Sequence, residues 1–155
     1  MGYERQADFG TPEVLSETPI TLTIDGRAVT VPQGASVLRA AALNGTNIPS
    51  LCASDCLQAF GSCRLCLVEI DGMRGTPASC TTPVQSGMTV HTASERVQTL
   101  RKGVMELYLS DHPTDCTACA QGDCQITEQA QRAGVTASRF APGETHLEVP
   151  QDCSN

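Results

Sequence analysis

Apolar and polar positions alternate from residue 20 onward. Ile20, Leu22 and Ile24 are separated by Thr21 and Thr23, and Val29 and Val31 by Thr30, with Ala28 before them. A two-residue period sends side chains to opposite faces of a strand, and Asp25-Gly26 supplies the positive φ angles of a two-residue turn, so the pattern predicts a β-hairpin. Ser36 then stands as an N-cap before Val37, Leu38, Ala41, Ala42 and Leu43, which predict a short helix with an apolar face against a sheet, ended by Asn44-Gly45. A hairpin followed by such a helix is the opening of a β-grasp. Leu67-Val68-Glu69-Ile70 predicts another strand, turning at Asp71-Gly72, and Met88 to His91 a further short one. Thr92-Ala93-Ser94-Glu95 reads as a capping box opening the longest helix. Its stripe of Val97, Leu100, Val104, Leu107 and Tyr108 runs through about Ser110, and Pro113 disfavours helix at His112. Gln125 to Arg132 predicts a last short helix ended by Gly134, and the remainder lacks sustained periodicity.

Composition narrows what such a fold can do. The chain of 155 residues has no Trp and 3% aromatic residues, so its core is aliphatic and modest, and bound metal would add folding energy that side chains do not. A net charge of -7, with ten Lys and Arg and no basic run, argues against nucleic acid as partner. Met1 to Gln6 contains no apolar signal region and no stretch approaches the length of a membrane span, which predicts a reduced, cytoplasmic protein. Nine cysteines, an odd number, fit a disulfide framework poorly.

The cysteines instead fall in two groups. Cys52, Cys63, Cys66 and Cys80 form C-x10-C-x2-C-x13-C, and Cys116-x2-Cys119-x4-Cys124 follows His112. Soft thiolates select iron-sulfur clusters or zinc over hard cations. Zinc ribbons bring two C-x2-C pairs within about 15–20 residues of each other, whereas 49 residues separate Cys66 from Cys116. The small residues Ala53, Ser54, Gly61 and Ser62 let backbone N–H groups turn inward, where they can donate to cluster sulfurs. Spacing leaves three readings open: iron-sulfur sites, a zinc-stabilised interaction module, and redox thiols at Cys63-Arg64-Leu65-Cys66 or Cys116-Thr117-Ala118-Cys119. Neither of those C-x2-C motifs has a thioredoxin-like βαβ setting.

The residues around these cysteines carry a resemblance. Ile48-Pro49-Ser50-Leu51-Cys52, Ala59-Phe60-Gly61-Ser62-Cys63-Arg64-Leu65-Cys66, Pro77-Ala78-Ser79-Cys80-Thr81-Thr82-Pro83-Val84, Arg101-Lys102-Gly103-Val104-Met105-Glu106-Leu107 and Asp111-His112-Pro113-Thr114-Asp115-Cys116 occur in order. Over about residues 18 to 135 the chain resembles the N-terminal iron-sulfur section of the catalytic subunit of NAD-dependent molybdenum or tungsten formate dehydrogenases. The same module occurs in the large peripheral subunit of complex I and in the diaphorase part of NAD-reducing hydrogenases. The resemblance implies an α+β chain: an arm over 1–18, a β-grasp 2Fe-2S ferredoxin-like domain over 19–96, a helical segment over 97–135 whose 4Fe-4S site takes one histidine and three cysteines, and an irregular tail over 136–155, cut before further domains. The implied ligands are Cys52, Cys63, Cys66 and Cys80 for the 2Fe-2S cluster, and His112, Cys116, Cys119 and Cys124 for the 4Fe-4S cluster.

The implied function is a relay of single electrons between a metal-pterin site that oxidises formate and a flavin site that reduces NAD, with FMN, the pterin and further clusters on partner subunits or domains. No residue of this chain takes a catalytic role. A relay segment of a hydrogenase or of complex I is the alternative. One departure stands out: the family places five residues between the second and third cysteine of the second group, and Ala120-Gln121-Gly122-Asp123 supplies four. Cys56 and Cys153 read as free thiols, His91 as a strand residue, His146 as solvated, and Arg64 as a surface residue.

Overall fold

β1 (Pro19–Ile24) and β2 (Arg27–Pro32) form the hairpin that the alternation predicts, with Leu22 opposite Val29 and Ile20 opposite Val31. Asp25 and Gly26 take φ values of 47° and 79°, the mirror-image turn whose twist matches that of the strands. Leu22, Ile24, Val29 and Val31 are buried on one face, while the hydroxyls of Thr21 and Thr30 meet at 3.0 Å on the exposed one. These belong to the computed structural model of the chain, which describes residues 7–113, 122 and 124–140. It divides into two compact units, Met1–Val104 and Met105–Asn155.

In the first unit, α1 (Val37–Leu43) lays Val37, Leu38, Ala40 and Ala41 into one apolar core with the buried hairpin residues, Ile48, Val68, Ile70, Val84 and Val90. The Ser36 hydroxyl accepts the Arg39 N–H at 3.0 Å, as an N-cap should. β4 (Thr89–His91) lies parallel to β1, and β3 (Glu69–Ile70) pairs antiparallel with β4, giving the order β2-β1-β4-β3. A small mixed sheet with a helix packed on it is the α+β architecture that the sequence predicts.

The strand expected over 67–70 is shorter in the structure. Leu67 bridges Ala78 instead, with Val68 N–H donating to Pro77 O at 3.0 Å and Ser79 N–H to Cys66 O at 2.9 Å. The backbone of 66–68 thus spends its hydrogen bonds on the segment that leads into Cys80.

α2 (Glu95–Ser110) begins as the sequence predicts but is capped differently. Ser94 is the N-cap: its hydroxyl accepts the Val97 N–H at 3.3 Å and its carbonyl accepts the Gln98 N–H at 2.9 Å. The Thr92 hydroxyl is already committed, because it and its own N–H donate to the Asp25 carboxylate of the hairpin turn. The buried face also departs from the expected stripe. Val97 and Met105 are fully buried, Arg101 is half-buried between them, and Leu100 and Leu107 face outward.

The arm is partly tied down. The Asp55 carboxylate accepts the Phe9 N–H at 2.9 Å and Arg39 at 3.0 Å, and the Asp8 carboxylate accepts the Asp55 N–H at 3.0 Å. Arg39 also donates to Thr11 O and lies over the Phe9 ring, 5.2 Å from its centroid. Gly10 fits here at φ 85°, where an added Cβ would stand 2.7 Å from Leu38 Cδ2.

The second unit contains α3 (Gln125–Arg132), braced by Arg132 on Glu128 at 2.6 Å. Gly134 at φ 70° ends it, and the Val135 N–H reaches back to Ala130 O at 2.8 Å. Among the described residues no helix is long and apolar enough to cross a membrane.

Candidate metal centre

Four thiols from three stretches of chain converge in the first unit. Cys52 and Cys63 lie at the two ends of the loop after α1, Cys66 precedes β3, and the 66–79 backbone pairing brings Cys80 alongside Cys66. Cys63, Cys66 and Cys80 are buried and Cys52 is half-buried; all four are free thiols. They meet in two pairs. Cys52 neighbours Cys63, whose N–H donates to Cys52 Sγ, and Cys66 neighbours Cys80 across the Ser79–Cys66 backbone bond.

Backbone donors are aimed at the sulfurs. The Leu51 N–H lies 3.5 Å from Cys63 Sγ and the Cys63 N–H 3.3 Å from Cys52 Sγ. The Leu65 N–H is a further donor to Cys63, made possible by Arg64, which takes the left-handed conformation at φ 55° between the two central cysteines. Burial pushes the Cys63 thiol up, but the N–H groups of Leu65, Leu51 and Cys52 outweigh it and hold that thiol below its ordinary value. Cys80 differs: burial first, then the Cys66 thiol and the charges of its neighbours, push it up to about 12. Burial also raises Cys52, against the N–H groups of Cys63 and Ser62.

Among the described residues no three His, Cys, Asp or Glu side chains gather around one point as a single metal ion would require. Two neighbouring pairs of thiols suit a group containing two metal atoms. The donor set therefore fits a two-iron cluster better than one tetrahedral zinc ion.

Of the second predicted set, His112 and Cys124 are described and lie together, His112 Nε2 3.5 Å from Cys124 Sγ. His112 follows α2, its N–H donating to Leu109 O, and Cys124 is the N-cap residue of α3. Gly122 takes the left-handed conformation at φ 78°. Cys116 and Cys119 lie outside the described residues, as do His146 and Cys153. Cys56 is exposed, its N–H held by the Ser54 hydroxyl at 3.2 Å, and His91 pairs with Asp71 at 2.9 Å on the surface of β4.

Two contributors escaped the sequence reading. Arg101 reaches from α2 to the carbonyls of Leu65 and Leu67, and the Asp8–Asp55–Arg39 cluster ties the arm to the loop between Cys52 and Cys63. Arg101 left a signal, a charged residue four positions after Val97 and four before Met105 on a helix. The arm left none, because its partners are remote in sequence.

Comparison with known proteins places two iron-sulfur regions on this chain. Residues 17–95 match the family described as 2Fe-2S iron-sulfur cluster binding domain, and residues 101–139 match the NADH-ubiquinone oxidoreductase-G iron-sulfur binding region. The chain is 47% identical over 122 residues to the mitochondrial NADH-ubiquinone oxidoreductase 78 kDa subunit of Candida albicans, covering 78% of this chain and 17% of that protein. It is 43% identical over 132 residues to the NADP-reducing hydrogenase subunit HndD of Solidesulfovibrio fructosivorans, covering 81% and 22%. A solved NAD+-reducing NiFe-hydrogenase in the H2-reduced state is similar at a TM-score of 0.73 and 36% identity, over 80% of this chain and 53% of that one. The chain spans about a fifth of the length of the curated relatives named here. The two iron-sulfur regions are thus a module shared by the complex I 78 kDa subunit and NAD-reducing hydrogenase. The formate dehydrogenase assignment expected from the sequence is not what these relatives carry; they favour the alternative.

Proposed function

Because this chain belongs to the family of 2Fe-2S iron-sulfur cluster binding domains, we propose that it is the electron-relay section of an NAD(H)-linked oxidoreductase of the complex I or NAD-reducing hydrogenase type. The observation that carries the reading is the convergence of Cys52 with Cys63 and of Cys66 with Cys80, all four inside the matched region. These four would hold a 2Fe-2S cluster, and His112, Cys116, Cys119 and Cys124 a 4Fe-4S cluster. Such clusters accept and release electrons one at a time, and the protein around them fixes position, shielding and hydrogen bonding.

The side chains have supporting parts. Leu51, Cys63 and Leu65 direct N–H groups at thiol sulfur, which favours the deprotonated, metal-binding form. Leu22, Val37, Val68 and Val90 back the site with a dry core. No side chain is assigned to proton transfer or nucleophilic attack. The expected partners are a flavin-bearing subunit that exchanges hydride with NAD and, on the other side, the site that supplies or takes up electrons. A formate-oxidising metal-pterin site in that second place rests on the sequence resemblance alone, whereas the relatives support a hydrogenase or complex I setting.

Anaerobic iron and acid-labile sulfide analysis, with EPR of the dithionite-reduced chain, tests the reading. About six irons and six sulfides with separate two-iron and four-iron signals are expected. A two-iron signal alone removes the second ligand set, and zinc without sulfide overturns electron transfer altogether.

A further inference from the structure

Three consecutive carbonyls around Cys66 are all held by donors. Cys66 O accepts the Ser79 N–H at 2.9 Å, and its neighbours are taken by a single side chain: Arg101 Nε donates to Leu65 O at 3.0 Å and Arg101 Nη2 to Leu67 O at 2.7 Å. A guanidinium is a rigid planar fork, so one residue can fix two peptide units at once, and it keeps its charge while doing so. Arg101 is half-buried on the α2 face between Val97 and Met105, and the negative groups acting on it are Cys66 and Asp25. Asp25 is already engaged by the N–H and hydroxyl of Thr92. Of the two, Cys66 feels the Arg101 charge more strongly.

We propose that Arg101 is a positioning residue for the two-iron site, fixing the Leu65–Leu67 backbone around Cys66 through its fork and raising the site's reduction potential through its charge. The proposal rests on the functional reading above. Reduction of a two-iron, four-thiolate group adds one electron and one unit of negative charge and breaks no bond. A fixed positive charge beside a ligand therefore stabilises the reduced form more than the oxidised one. The two roles separate by substitution. Arg101→Gln keeps a polar side chain but removes the charge, and Arg101→Lys keeps the charge but cannot hold two carbonyls in one plane.

The experiment is an EPR-monitored redox titration of the reconstituted full chain, together with the rate of iron loss to a chelator, for wild type and both variants. Arg101→Gln is expected to titrate at a more negative potential, while Arg101→Lys stays near the wild-type potential but loses iron several-fold faster. A wild-type potential in Arg101→Gln overturns the proposal. Where Arg101→Gln holds no cluster, Arg101→Lys decides: faster iron loss supports the fork, and iron loss at the wild-type rate overturns it. A wild-type chain without labile sulfide is a different result, since it removes the functional reading itself.

Discussion

Cys63 and Cys80 belong to one group of thiols yet hold their protons differently, and that difference separates two pH windows. Both would titrate near 9 when unfolded. Folding raises Cys80 to about 12, so the metal-free folded chain keeps a proton that the unfolded chain releases above pH 9. Its contribution is fully present below 9 and is lost as pH rises towards 12. Cys63 has the opposite sign: its folded value is depressed, so its contribution is present above 9 and is lost as pH falls through the folded value. The thermal midpoint of the metal-free chain should therefore fall on the alkaline side of pH 9, and Cys80→Ser should flatten that fall. An unchanged slope in the variant would assign the alkaline loss to other groups. At this scale the cysteine spacing was legible in the sequence, but the left-handed Arg64 that turns the Leu65 N–H towards Cys63 was not. Arginine has no preference for that conformation, so only the closed loop imposes it.

At the scale of elements, the arm and the loop between Cys52 and Cys63 act as one piece. The carboxylates of Asp8 and Asp55 each accept an N–H from the other's segment, and Arg39, 7% exposed on α1, joins both through Asp55 and Thr11. Asp55→Ala leaves the Arg39 guanidinium without its carboxylate partner in a buried setting, a loss of about 1–3 kcal/mol, since Asp55 itself is partly solvated. Denaturant unfolding of the chain should show that loss, and iron should leave the loaded protein faster because the loop is less restrained. A change below about 0.5 kcal/mol, the ordinary range of a surface substitution, would show that the arm does not brace the loop. The start of α2 is read differently at the two levels for a similar reason. Thr92 and Ser94 both suit a cap, and the choice fell to Ser94 because Asp25, distant in sequence, holds Thr92.

At the scale of the whole molecule, the two ligand sets proposed above should respond separately. His112→Ala or Cys124→Ala should abolish the four-iron EPR signal and leave the two-iron signal intact; loss of both would show that the two sites assemble together. The hairpin, α1, the extent of α2 and the two cysteine groups are legible without the fold, because each is written in local spacing: a two-residue period, a cap, a helical stripe, a C-x2-C turn. The closed core settled how β4 enters the sheet beside β1, why the predicted strand at 67–70 gives up residues to the Cys80 segment, and which cysteines become neighbours. It also decided that Arg101, rather than Leu100 or Leu107, lies on the covered side of α2. Those outcomes depend on backbone donors and acceptors far apart in the chain finding partners once the core closes, and local spacing carries no record of which partner each will find.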